Sequence, residues 1–102
     1  MNLGITINSI RKQRGINQGE LAELTGLTQA YMSQIEKNKK EPNLSTLRKI
    51  GEALSMPLPI LFFLSLDEAD IPERKHEAFK MIGPSMKSML SEFFVMEFGK
   101  ND

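Results

Sequence analysis

Thr28, Gln29, Ala30, Ser33 and Gln34 share one short stretch with the apolar Met32 and Ile35. If that stretch is helical, Met32 and Ile35 fix its inner face and the other five lie on or beside the outer one. Such a face is short, polar and uncharged, which suits base-pair edges in a major groove about 12 Å wide. The amides of Gln29 and Gln34 can pair with adenine N6 and N7, Ala30 can touch a thymine methyl, and Ser33 can donate or accept. Phosphate contacts, which position a protein without reading sequence, would come from neighbouring residues. Gln18 begins a helix whose free amides and dipole favour an anion. Lys37, Asn38, Lys39, Lys40 and Asn43 cluster after the outward face, and Tyr31 could hydrogen-bond a phosphate or shield the helix pair.

The elements that must position these groups are legible from caps and spacing. Leu3, Ile7 and Ile10 with Gly15 as a stop predict a first helix over roughly residues 2–14. Asn17 and Glu20 form a variant capping box that opens a second helix, with Leu21, Ala22 and Leu24 inward and Gly26 as its end. Ala22 is small where the second helix must approach the third. Thr28 caps the third helix, residues 28–38, and Asn38 takes the left-handed stop. Asn43 caps a fourth, carrying Leu44, Leu47, Ile50 and Leu54 and ended by Met56-Pro57. Pro57 or Pro59 opens a fifth through Ile60 to Leu64. Beyond Leu66, Pro72 opens a helix through Ala78, Phe79 and Ile82. Gly83-Pro84 is expected to interrupt it, and a last helix carries Met86, Met89, Leu90, Phe93 and Met96 or Glu97 at helical spacing.

The spaced residues Gln18, Leu21, Ala22, Thr25-Gly26-Leu27-Thr28-Gln29, Met32-Ser33, Ile35-Glu36, Asn38, Pro42, Leu44 and Thr46-Leu47 resemble the lambda-repressor and Cro type of helix-turn-helix, the xenobiotic-response-element family. The likeness spans roughly residues 3–65. It implies an all-α fold: a five-helix DNA-binding domain over residues 1–66, followed by a helical extension over residues 67–102. In the resembling proteins the positions of Thr28, Gln29, Ala30, Ser33 and Gln34 meet bases or nearby phosphates, and that of Gln18 clamps a phosphate. The likeness further implies that Arg11 is held against Glu36 as a brace for the third helix, a structural role. Three residues depart from the usual pattern: Asn38 stands where glycine is common, Gly19 is a poor helix former, and Gly51 sits in mid-helix at a cost of up to about 1 kcal/mol against alanine.

Composition bounds the alternatives. The 102 residues carry 13 basic and 13 acidic side chains, for a net charge of zero. That zero is a cancellation. Residues 1–65 hold Arg11, Lys12, Arg14, Lys37, Lys39, Lys40, Arg48 and Lys49 against five glutamates, a net +3, and residues 66–102 carry the compensating −3. A basic head can approach phosphates, whereas the acidic tail is expected to point away from them. There is no cysteine and one histidine, His76, so no thiolate metal site, disulfide or catalytic constellation is evident, and no cofactor or metal is expected. Glu73, His76 and Glu77 could share a helix face, where such groups usually form surface ion pairs. The apolar run Leu58 to Leu66 is too short to cross a bilayer, and Met1 to Gly15 lacks a signal peptide's apolar core, so a cytoplasmic protein without a membrane partner is expected.

These readings converge on a sequence-specific regulator of transcription, a repressor binding a double-stranded operator as a homodimer through the extension. One alternative stays open, an antitoxin whose segment 67–102 binds a toxin protein, because methionine-rich faces adapt to partners.

Overall fold

The computed structural model describes the backbone of residues 1–99 and the side chains through Phe94. Among the described residues six helices follow one another: α1 (Leu3–Gln13), α2 (Gln18–Thr25), α3 (Gln29–Glu36), α4 (Leu44–Ala53), α5 (Leu58–Ser65) and α6 (His76–Gly99). Two single 3₁₀ turns, Glu68–Asp70 and Glu73–Lys75, lead into α6, and no strand occurs among the described residues. The fold is therefore all-α, as the sequence predicts.

Helix starts lie where side-chain oxygens can take up amides that a first turn leaves unpaired. Asn2, Asn17, Thr28 and Asn43 accept from the backbone N–H of Ile5, Glu20, Tyr31 and Thr46, and Glu20 completes the box by accepting from Asn17 N–H at 2.9 Å. Each such cap contributes on the order of 1 kcal/mol. Helix ends close through residues of positive φ: Gly15, Gly26, Asn38 and Ser55.

The core is made of Ile7, Ile10, Leu21, Ala22, Met32, Ile35, Leu47, Ile50, Leu54, Met56 and Leu61, all buried. Through these, α1 packs on α3 and α5, α2 on α3 and α4, and α4 on α5. Gly51 is explained here, since a Cβ on it would stand 2.9 Å from the Met56 carbonyl oxygen. Helix α6 packs on α5. Arg14 ties it to the rest of the molecule, with Nε donating to the Leu54 carbonyl at 2.8 Å and Nη1 to that of Phe94 at 3.3 Å. The Lys87 ammonium also donates to the Leu66 carbonyl.

Three expectations need correction. Leu24 is not an inner residue: it is 63% exposed, and Thr25 is buried in its stead. A buried threonine is tolerable because its hydroxyl donates back to the carbonyls of Leu21 (2.8 Å) and Ala22 (3.0 Å). Leu44, at the first helical position of α4, is likewise exposed. Gly83-Pro84 does not divide the extension, since α6 runs unbroken through Pro84. The proline's φ is compatible with a helix, and the bond it forfeits to the Lys80 carbonyl lies on an exposed side where water can replace it. Met96 and Glu97, the last positions of the expected stripe, have side chains outside the described residues.

Candidate nucleic-acid interface

Helices α2 and α3 are joined by Gly26, Leu27 and Thr28. Gly26 stops α2 at φ 72°, where a Cβ would be strained, and Thr28 starts α3 by accepting from Tyr31 N–H at 3.0 Å. Such a turn sets the two helices at a fixed angle, so what α3 presents outward depends on what holds it from behind.

Two sets of contacts hold it. The first centres on the Glu36 carboxylate, buried at the last turn of α3. Arg11 grips it bidentately, Nε to Oε2 at 2.8 Å and Nη2 to Oε1 at 3.1 Å, while Asn8 and Gln18 donate to Oε1 at 2.7 and 3.1 Å. Arg11 also donates to the Ile16 carbonyl at 3.0 Å, so α1, α2 and α3 meet at one charge pair. Burial alone would raise the Glu36 pKa, but the hydrogen bonds from Arg11, Asn8 and Gln18 and the Arg11 charge outweigh it and hold the carboxyl below its ordinary value. The Arg11–Glu36 brace that the resemblance implied is thus present, with Asn8 as a member that was not foreseen. Its position three residues before Arg11 was the available signal.

The second set closes the same, C-terminal end of α3 just beyond Glu36. Asn38 takes the left-handed conformation at φ 59°, its N–H bonds to the Ile35 carbonyl at 3.0 Å, and Lys39 N–H reaches the Gln34 carbonyl at 2.8 Å. This pair of bonds is a Schellman closure. The Asn38 side chain then joins α1: its Oδ1 accepts from Gly4 N–H at 2.9 Å, and its Nδ2 donates to Asn2 Oδ1 at 2.8 Å. Gly4 permits the approach, because a Cβ there would lie 2.5 Å from the Ile35 carbonyl oxygen. Asn38, expected among the phosphate contacts, is exposed, and its amide is also engaged within the protein.

With α3 held this way, Thr28, Gln29, Ala30 and Gln34 are exposed, Ser33 is half-buried, and Met32 and Ile35 are fully inward. Tyr31 is half-buried and packs against the core. The expected base-reading residues therefore share one open face. Gln18 stands at the first position of α2, half-buried and with one amide hydrogen given to Glu36. On the far side of α3, Lys37, Lys39, Lys40 and Asn43 are all exposed, Asn43 also capping α4.

A helix-turn-helix family model matches residues 7–61, about half of the chain. The chain is 42% identical over 55 residues to the HTH-type transcriptional regulator SutR of Escherichia coli (strain K12), covering 54% of this chain and 31% of that relative. It is 32% identical over 89 residues to the immunity repressor protein of Bacillus phage phi105, covering 76% and 62%. It is 34% identical over 76 residues to the HTH-type transcriptional regulator SinR of Bacillus subtilis (strain 168), covering 74% and 60%. The chain spans about a third to three fifths of the length of these relatives. The matched segment contains the α2–α3 pair, its brace residues Asn8, Arg11 and Glu36, and α4, and on this ground the chain belongs to the lambda-repressor and Cro type of helix-turn-helix family.

Proposed function

We propose that this chain is a sequence-specific transcriptional regulator, a repressor, that binds double-stranded DNA by inserting α3 into the major groove. The observation that carries the reading is the open polar face of Gln29, Ala30, Ser33 and Gln34 on a helix held rigidly from behind by Glu36 and Asn38. Eight residues at about 1.5 Å rise give a helix as long as the groove is wide. Gln29 and Gln34 read adenine edges, Ala30 meets a thymine methyl, and Ser33 makes an adaptable hydrogen bond. The Thr28 hydroxyl accepts from Tyr31 and keeps its own hydrogen for a nearby acceptor. Gln18 with the unpaired first-turn amides of α2 holds a phosphate on one side, and Lys37, Lys39, Lys40, Asn43 and the Tyr31 hydroxyl hold the strand on the other. Asn38 braces the end of α3 through Gly4 and Asn2 and, being exposed, keeps its second Nδ2 hydrogen for a phosphate. The names of the similar proteins, among them an immunity repressor, support repression.

The regulator acts as a homodimer through α6. Ile82, Met86, Met89 and Phe93 recur at spacings of four, three and four residues and are all exposed, the pattern of a helix–helix seam. Phe79, Leu90 and Phe94 are half-buried, and Phe94 packs against the core. Helix α6 packs on α5 while α3 packs on α1 and α2, an arrangement that leaves the seam free to pair as α3 meets DNA. A two-fold dimer would present two copies of α3 to half-sites about 34 Å apart.

Selection of bound sequences from a random double-stranded pool tests the reading. An enriched motif with two symmetric half-sites is the expected result, and the absence of any enriched motif would refute sequence-specific binding. Met89→Lys, at a position 70% exposed, should yield monomers in sedimentation with the helical content unchanged. A Met89→Lys dimer would remove α6 from the interface, and co-purification of a stoichiometric heterologous protein on that face would favour the antitoxin.

A further inference from the structure

Gly19 is the second residue of the eight-residue α2, a position where glycine costs helix stability. Its backbone does not require glycine, for among the glycines of the described residues only Gly15 and Gly26 have positive φ. Nor does close packing of the main chain require it. A Cβ on Gly4 or Gly51 would strike backbone oxygens at 2.5 and 2.9 Å, whereas one on Gly19 would meet only side chains. Those side chains are Gln29, with Oε1 at 3.4 Å and Cδ at 3.8 Å, and the capping Asn17, with Oδ1 at 3.4 Å. The carboxamide of Gln29 therefore lies across the bare backbone of α2.

We propose that Gly19 is a specificity-determining residue that acts through Gln29: the space beside its Cα, with room for a Cβ and nothing larger, is the seat on which the Gln29 amide rests, and this seat selects the base that Gln29 reads. The inference rests on the reading of α3 as the base-reading helix. Glutamine has three rotatable bonds, and an amide left free on the surface would have to be ordered at each binding event. Against α2 it is held before the DNA arrives, with its oxygen toward the positive end of that helix. Filling the seat drives the amide elsewhere and changes one base position, while the phosphate contacts stay in place.

The substitutions at Gly19 are graded. In Gly19→Ala the Cβ makes an ordinary van der Waals contact at 3.4 Å, so Gln29 keeps its seat. In Gly19→Val two of the three positions around Cβ carry methyls whatever the rotamer, and Gly19→Leu reaches as far by another path. The experiment measures binding of the full chain to its selected operator and to every single-base-pair variant of it, for wild type, Gln29→Ala, the three Gly19 variants and the Gly19→Val/Gln29→Ala double variant. Circular dichroism checks that each is folded. Gln29→Ala should relax discrimination at one base pair by about tenfold, the scale of one good side-chain to base pairing. Gly19→Val and Gly19→Leu should relax or switch that same base pair and no other, Gly19→Ala should behave as wild type, and the double variant should be no worse than Gln29→Ala. The proposal is overturned if folded Gly19→Val and Gly19→Leu keep wild-type discrimination there, or if they weaken every sequence alike, which would make Gly19 a point of close phosphate approach. If Gln29→Ala itself relaxes no position, the assignment of Gln29 to a base fails and this proposal with it. If Gln29→Ala relaxes one position that the Gly19 variants leave untouched, only the proposal falls.

Discussion

Substituting Arg11 by methionine should cost this protein a large part of its stability. Arg11 is 8% exposed and Glu36 7%, so neither side chain can turn to water when its partner is lost. Arg11→Met removes both bonds of the bidentate pair and the bond to the Ile16 carbonyl, leaving the carboxylate with only the neutral donors Asn8 and Gln18. Breaking one side of a buried pair costs about 3–5 kcal/mol, against a total stability of about 5–15 kcal/mol for an ordinary domain. Removing both charges is another matter, since Arg11→Met/Glu36→Met leaves no unpaired ion, and such replacements are often neutral or stabilising. The double variant should therefore be more stable than either single one. Urea unfolding followed by far-ultraviolet circular dichroism suits a chain with no tryptophan and one tyrosine. A single-variant cost below about 1 kcal/mol, as for an exposed pair, would refute the reasoning, as would a double variant that costs the sum of the two.

Acid should act on the same group. Glu36 is held below the ordinary value of about 4.3, so its contribution is present above that pH and is lost as the pH falls through the lower folded-state value. Glu36→Gln should lower stability at pH 7 and flatten its decline below about pH 4, and an unchanged decline would assign the acid sensitivity to other carboxylates. Gly4→Ala places a Cβ 2.5 Å from the Ile35 carbonyl oxygen, and the shift it forces between α1 and the end of α3 should cost about 1–3 kcal/mol in the same unfolding assay. Ser55→Gly relieves a serine at φ 54° and should raise stability by about 0.5–1 kcal/mol, read as a higher midpoint of thermal unfolding. Lys40→Ala should weaken binding to all sequences evenly and reduce the slope of log affinity against log salt by about 0.9, and an unchanged slope would take this lysine out of the phosphate footprint.

The sequence by itself determined the helices and their order. Asn17 with Glu20, Thr28 and Asn43 start helices, Gly15 and Gly26 stop them, and Met32 with Ile35 set which side of α3 faces in. Each signal acts within one or two turns of chain, where type and spacing suffice. The open face of Gln29, Ala30 and Gln34 was legible for the same reason. Of what holds that face in place, the resemblance implied only the Arg11–Glu36 pair, and tertiary structure decided the rest. Asn38 bonds to Gly4 across 34 residues of chain and Glu36 collects donors from Asn8, Arg11 and Gln18. Nothing local in Asn38 distinguishes an amide free for phosphate from one bonded to another helix. Leu24 and Thr25 exchanged their expected places because a hydroxyl satisfied by its own helix can be buried, and α6 passed Pro84 because one lost bond on a wet side did not end it. Local preferences chose the elements, and contacts between residues far apart in the chain chose the orientation in which the reading helix is held, because only the packed fold brings those groups within hydrogen-bonding distance.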